Sequence, residues 1–374
     1  MRILVVNWQD KSHPQSGGAE SHLHSIFSRI AAKGHHVTLL CCGHGKAPHR
    51  ETCDGINIVR IGRRPWFNYI VPLWWTLVGK GLKFDIVIDD INKLPFFTPR
   101  FVRKIPILAI IHHFFGDSIY QQAGRLTGKY VLWFEKQIPR VYANIPICVV
   151  SESTKQECID RGIPDKNIHI IYNGIDASLF PFEVTTKATT ETLVYFGRLK
   201  RYKSIDHILH AMVKVREQFP NVVLDVIGTG DDQTALEEIA TALGLIDVVR
   251  FHGFVEDSEK AKHLSRAYID LNPSVKEGWG ITNIEANACG TPVISADVPG
   301  LRDSVKHEYS GMLYPYGDID ELARLICLVL ADASLRERLS MNAIEWARRF
   351  TWDAAAQQML ELCADVIQQR RQKK

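Results

Sequence analysis

Short apolar runs alternate with amphipathic stretches from one end of the chain to the other, and no other feature narrows the choice of folds as far. In the first half RILVVN (2–7), HVTLLC (36–41), INIVRI (56–61), DIVID (85–89), ILAII (107–111), ICVV (147–150) and IHIIY (168–172) read as strands, with helical stretches such as AESHLHSIFSRIAAKG between them. Strands that alternate with helices build a parallel sheet covered on both faces. The polar run EVTTKATTET (183–192) breaks the pattern, offers little to bury and reads as a linker. The alternation then resumes with LVYFG (193–197), VVLDVIG (222–228), VVRFHGF (248–254), AYIDLNPS (267–274) and TPVISA (291–296). A chain of 374 residues is long enough for two such cores. The expected architecture is α/β, with doubly wound domains over 1–182 and 193–351. A last amphipathic stretch, apolar from about Ala355 to Ile367, ends in basic residues as suits a helix C-terminus.

Other classes are disfavoured. No stretch approaches the roughly 18 uninterrupted apolar residues of a spanning helix, and the four-residue apolar run in MRILVVNWQD is too short for a signal-peptide core. The eight cysteines show neither a C-x-x-C pair nor zinc-site spacing. Buried free thiols in a reducing cytoplasm are expected. The net charge of +3 conceals an asymmetry: residues 1–180 carry 22 Lys/Arg and 14 Asp/Glu, or +8, and the remainder 23 and 28, or −5. A basic first half suits an anionic membrane surface, an anionic substrate or plain surface charge equally well. No recognition motif for nucleic acid accompanies it.

The stretch most suggestive of chemistry is EGWGITNIEANACGTPV (277–293). Ligands of doubly wound sheets bind beyond the carboxyl ends of strands, where glycine lets the backbone approach. Gly278 and Gly280, flanking Trp279, leave N–H groups uncovered before a helix, a natural place for a diphosphate. Glu277 and Glu285 would repel that diphosphate and are better read as acceptors for hydroxyls on either side of it, a sugar hydroxyl for Glu277 and a ribose hydroxyl for Glu285. By itself, Glu285 would read as complementing the helix dipole. Upstream, GRLKRYKSID (197–206) follows a strand and places Arg198 and Lys203 where a bidentate fork and a point charge would neutralise a diphosphate leaving group.

Weaker candidates lie in the first half. Gly17 and Gly18 in PQSGGAESHLHSIF offer a second backbone cradle or a tight turn. His112 in PILAIIHHFFGD ends a strand, with His113 after it, and a histidine there can donate to a substrate hydroxyl or oxyanion. Asp89 and Asp90 end another strand and could meet an acceptor or cap a helix. The G-x-G of VIGTGDD lacks a third glycine, so a turn explains it. The H-x-H at 22–24 has no supporting carboxylate spacing, and no metal is expected.

Taken together these stretches resemble the family 4 glycosyltransferases, retaining enzymes of the GT-B fold. The likeness runs through SGGAE, NGID (173–176), GRLKRYK, HGFVED and EGWGITNIEANACGTPVIS, and Glu277 and Glu285, with seven residues between them, fit the family's paired-glutamate motif. The resemblance implies two Rossmann-like domains facing across a cleft, with the donor nucleotide held mainly by the second. It implies that Arg198 and Lys203 bind the diphosphate, Glu285 the ribose and Glu277 the transferred sugar. His112 would approach the sugar from the first domain, Gly17 and Gly18 would lie opposite the diphosphate, and the final helix (352–374) would cross back onto the first domain. The resemblance also implies a reaction without a metal. Ser204 departs from the glycine the family usually has there, and Trp279 from its phenylalanine; His113 leaves the histidine assignment one residue open.

The expected function is retaining transfer of a hexosyl-type sugar from a nucleotide-diphosphate sugar, UDP- or GDP-linked by preference, to an acceptor hydroxyl. Glycan, glycolipid or envelope polysaccharide synthesis would be the setting, with no cofactor beyond the donor. A sugar-nucleotide epimerase or a non-catalytic sugar-nucleotide binding protein of the same architecture are the alternatives. RRPWFNYIVPLWWTLVGKGLKF (63–84) and GKYVLWFEKQIPRVY (128–142) interleave aromatic and basic residues. That pattern fits either a peripheral surface at the inner face of the cell membrane, with a lipid-linked acceptor, or helix packing with basic ends reaching outward.

Overall fold

The computed structural model describes residues 1–92, 94–121 and 124–372, with the backbone alone at 117 and 121. The chain forms two compact units, Met1–Ile119, Ala123–Gly174 and Trp352–Lys374 in the first, and Ile175–Thr351 with Tyr120–Gln122 in the second.

In the first unit the described strands are β1 (Arg2–Val6), β2 (His36–Gly43), β3 (Arg50–Cys53), β4 (Ile56–Arg63), β5 (Ile86–Ile91), β6 (Ile107–Ile111), β7 (Ile147–Val149) and β8 (Ile168–Ile170), in the sheet order β3-β4-β2-β1-β5-β6-β7-β8. All pairs are parallel except β3 with β4. Every residue of β5 and β6 is buried, as helices on both faces require. The strand order turns back between β1 and β5, whose carboxyl ends meet in the register Val6↔Asp89.

The second unit has β9 (Thr192–Phe196), β10 (Val223–Ile227), β11 (Val249–Gly253), β12 (Ile269–Asn272), β13 (Val293–Ala296) and β14 (Gly311–Tyr314), all parallel, in the order β11-β10-β9-β12-β13-β14. The order turns back between β9 and β12, so the loops after these two strands occupy the switch point where such sheets bind ligands. The core beneath is continuous and apolar, from Leu193 and Leu224 in the sheet to Met212 and Ile326 on the covering helices.

Two strands go unread in the sequence. RETC (β3) is polar, pairs antiparallel with β4 at the sheet edge and carries no apolar signature; GMLY (β14) opens on glycine and runs into Pro315, which reads as a turn. The run 183–192, read as a linker, is instead bonded into the second unit. The Lys187 ammonium donates to the backbone oxygens of Ser265 and Gly290, each at 3.1 Å, and to Thr291 Oγ1 at 2.9 Å. The Ala188 N–H donates to Arg266 O at 2.9 Å. The final helix, Trp352–Gln372, belongs to the first unit. It packs on the helix Gly18–Ala32, where Arg29 Nε donates to Asp353 Oδ1 at 2.8 Å and Lys33 Nζ to Gln357 Oε1 at 2.5 Å. Of the basic tail, Lys373 and Lys374 lie outside the described residues.

Candidate functional site

At the switch point of the second unit, β9 runs into Gly197–Arg198, a turn at Arg201–Lys203, Ser204, and the helix Ile205–Gln218. The chain after β12 runs through Glu277, Gly278 and Trp279 to Gly280, which caps the helix Ile281–Ala288. Because β9 and β12 are neighbours, the loops emerge side by side, and the Val275 N–H donates to Tyr202 O at 3.0 Å. Lys203 Nζ is in direct ion-pair contact with Glu277 Oε1. Burial works against the Lys203 ammonium, but Glu277 outweighs it and holds the pKa above the usual lysine value. Arg198 is exposed, and its Nη2 donates to the Tyr202 hydroxyl at 3.2 Å.

Glycines hold these loops together. Gly280 has φ 67°, and a Cβ there would lie 2.7 Å from Ser304 Oγ. That hydroxyl accepts from Asn283 Nδ2 at 2.9 Å, while Asn283 Oδ1 accepts from Asn272 at 2.7 Å, so the helix start is tied to β12 by buried side chains. The G-x-G after β10 acts as a buttress: a Cβ on Gly228 would come 1.9 Å from Gly197 O, and one on Gly230 1.8 Å from Leu199 O. The Leu199 N–H donates to Thr229 O at 3.0 Å in the same contact. The Arg198 loop therefore rests directly on backbone. The Trp279 ring is buried edge-on against Phe350, with centroids 5.0 Å apart, so it is core and leaves the backbone as the part a ligand would meet.

Glu285 sits on the second turn of its helix with its carboxylate 3.0 Å from Lys260 Nζ. Lys260 lies over the Phe196 ring at 4.8 Å and is itself buried. Burial pushes the Glu285 pKa up, and Lys260 works the other way. Asp270, fully buried on β12, is pushed well above the carboxylate range by burial and then by Glu285. Sequence reasoning missed Lys260; it lies 25 positions from its partner and no local spacing links the two.

In the first unit the loop after β1 leads to Gly17, whose N–H donates to Glu20 Oε2 at 2.7 Å. Glu20 Oε1 accepts from Asn92 Nδ2, just past β5, at 2.8 Å, tying the two sides of this unit's own switch point. A Cβ on Gly18 would meet nothing within 4 Å, so packing within the chain does not demand glycine there. His112 follows β6, is nearly buried, and shares a 2.9 Å hydrogen bond between Nε2 and Asp90 Oδ1. His22 stands edge-on to it with centroids 4.8 Å apart; burial, then His112, pulls the His22 pKa well below the usual histidine value, leaving a neutral ring.

Two sequence readings change here. Asp89 does not face an acceptor: it is fully buried and its Oδ2 accepts from Thr98 N at 3.2 Å, Thr98 Oγ1 at 2.6 Å and the Tyr142 hydroxyl at 2.5 Å. Asp90, also fully buried, orients His112 instead of reaching outward. Alternation along a strand sends the two carboxylates to opposite faces. His113 packs its ring against Phe115 at 5.0 Å. Among the described residues two groups hold three candidate metal ligands within 4.8 Å of one another, His24–Cys53–Asp54 and Asp225–His252–His263. Each contains a short histidine–aspartate hydrogen bond, 2.6 Å and 2.8 Å, and neither includes a residue of the loops above.

Comparison with known proteins places these features in a wider setting. The family model described as "Glycosyl transferases group 1" matches residues 176–346, and that described as "Glycosyltransferase Family 4" matches residues 16–179. The chain is 26% identical to an uncharacterized glycosyltransferase of Methanocaldococcus jannaschii, over 97% of each chain. Its structure is similar to that of sucrose-phosphate synthase from Thermosynechococcus elongatus, with a TM-score of 0.79, 23% identity and 98% of each chain covered. It is also similar to Anabaena HepE in complex with UDP-glucose, with a TM-score of 0.77 and 20% identity over 98% of this chain and all of that one (100%).

Proposed function

Because the chain belongs to the family 4 glycosyltransferases of the GT-B fold, we propose that it moves a hexosyl-type sugar, with retention, from a UDP- or GDP-sugar to an acceptor hydroxyl on a glycan or lipid-linked glycan. The observation that carries the reading is the convergence of Arg198, the Lys203–Glu277 pair and the amino end of the helix Ile281–Ala288 at one switch point. Two cations and a helix amino terminus suit a diphosphate that gains charge as it leaves. They supply positive charge from the chain itself, which supports a reaction without a resident metal.

Each group then has a part. Arg198 and Lys203 hold the diphosphate with the backbone of Gly278, Trp279 and Gly280. Glu285, hydrogen-bonded to Lys260, accepts from the ribose. Glu277 accepts from a hydroxyl of the transferred sugar. His112, its ring fixed by Asp90, and the turn at Gly17 and Gly18 are the first unit's candidates for contacting the donor. The acceptor oxygen attacks the anomeric carbon as the bond to the β-phosphate oxygen breaks. The acceptor proton passes to that departing oxygen, giving the glycoside and a nucleoside diphosphate. Glu277 is held by Lys203, which favours attack from the leaving-group side over a covalent glycosyl-enzyme. The setting we favour is the cytoplasm, where the six buried cysteines would stay reduced.

Proton NMR of the protein with UDP-glucose or GDP-mannose tests this. Release of the diphosphate with the sugar first appearing in the donor's own anomeric configuration is expected, slowed about 100-fold or more by Glu277→Gln. An isomerised donor without release of diphosphate would mean an epimerase, and an inverted sugar would overturn retention.

A further inference from the structure

Two helices of the first unit are apolar on the side that faces away from the core. On the helix Phe67–Leu77, residues Phe67, Val71 and Trp75 point inward at helical spacing and join Trp8 and Phe96 in the core. The opposite stripe, from Trp66 through Tyr69 and Leu73 to Leu77, is exposed, Trp66 by 65% and Leu77 by 73%. The helix Arg125–Glu135 repeats the arrangement. Phe134 is buried, while Leu126, Tyr130 and Trp133 are exposed, Leu126 by 85% and Trp133 by 57%. The Tyr69 and Tyr130 hydroxyls lie 2.9 Å apart, which joins the two stripes into one face. A protein that turns two tryptophans and three leucines outward on adjoining helices presents a binding surface, since scattered exposure would not align them.

The charges around the face select the partner. Residues 63–84 contain four Lys/Arg and no Asp or Glu. Residues 124–142 contain four more and a single acid, Glu135, which is buried and accepts from the Phe115 N–H at 2.6 Å and the Gly116 N–H at 3.2 Å. Arg63, Lys80 and Lys83 are exposed beside the first stripe, and Arg125, Lys129 and Lys136 beside the second. An apolar face with aromatic residues and cations at its margin, built on two segments whose one acid is buried, complements the headgroup region of an anionic bilayer: rings and leucines enter the boundary and cations meet lipid phosphates. No described helix is long and apolar enough to cross a membrane.

We propose that this face seats the protein on an anionic lipid surface. The proposal is independent of the transfer chemistry, because the face needs no donor.

Flotation with vesicles of phosphatidylglycerol and phosphatidylcholine in equal parts, against phosphatidylcholine alone, tests it. Wild type is expected to bind the anionic vesicles at least about tenfold better, with the difference shrinking in high salt. The triple variant Leu73→Ser, Leu77→Ser, Trp133→Ser should lose that binding while keeping its melting temperature, because all three side chains are exposed. Reversing Lys80, Lys83 and Lys129 to Glu should abolish the preference for anionic lipid. Wild type that ignores both vesicles overturns the proposal, as does a triple variant that binds like wild type. So does sedimentation showing a dimer that the triple variant abolishes, since the face would then be covered by a second copy. Diphosphate binding by the same variants, read separately, keeps a failure here distinct from a failure of the glycosyltransferase reading.

Discussion

Ser204 shows how one residue sets the site. It follows Lys203 with φ 50° and ψ 41°, a left-handed conformation that costs a non-glycine residue roughly 1–2 kcal/mol. The strain is offset by a 2.9 Å bond between its hydroxyl and that of Tyr316. Ser204→Gly should therefore leave stability within about 0.5 kcal/mol of wild type, relief of strain balancing loss of the bond, whereas Ser204→Ala keeps the strain and should lose about 1 kcal/mol. Urea unfolding of the two variants distinguishes these outcomes. The sequence marked Ser204 as standing where glycine is usual but could not show why, because the reason is a backbone angle. The same limit applies to Asp89 and Asp90: adjacent identical residues carry no sign of which faces the core and which His112.

Among elements, the decisive fact is that β9 and β12 are hydrogen-bonded neighbours although more than seventy residues separate them. Strand periodicity revealed both strands and placed Arg198, Lys203 and Glu277 in the loops that follow. Their adjacency follows from sheet order, which no local pattern encodes. The Gly-Thr-Gly stretch is a further case, since its glycines serve the approach of the neighbouring loop and not a phosphate. Gly230→Ala, whose Cβ would fall 1.8 Å from Leu199 O, should cost about 1–3 kcal/mol, because a backbone oxygen must move. It should also weaken diphosphate-induced stabilisation by displacing the Arg198 loop. Thermal melts with and without UDP report both effects, and an unchanged response to UDP would contradict the buttress.

At the scale of the molecule, the α/β class and two doubly wound sheets were legible because alternation is strong along the whole chain. The polar β3 was not, because nothing apolar marks it although its partner β4 follows at once in the chain, and neither were β14 and the anchoring of 183–192, whose partners lie farther off in sequence. Lys187 gives that anchoring a signature. Burial pushes its pKa down to about 8, so the folded chain binds its proton more weakly than the unfolded chain. Its contribution therefore destabilises at low pH, and stability should rise as pH climbs from about 8 to the unfolded lysine value near ~10.4. Unfolding free energies of wild type and Lys187→Met across that window should show the rise in the first and not the second. The aromatic and basic stretches were ambiguous in sequence for a related reason: helical spacing gives both faces of such a helix, and only the fold shows which apolar face remains open.

The central claim is that the switch point of the second unit binds a nucleoside diphosphate through Arg198 and Lys203. Its most direct test is thermal stabilisation by UDP, GDP, ADP, dTDP and CMP, measured on wild type and on Arg198→Ala, whose exposed side chain can be truncated without disturbing the core. The account predicts that one diphosphate stabilises wild type, by about 2.7 kcal/mol at a hundredfold excess over its Kd, and that the variant loses most of that gain. Absence of stabilisation by any diphosphate, or a variant stabilised as fully as wild type, would contradict it.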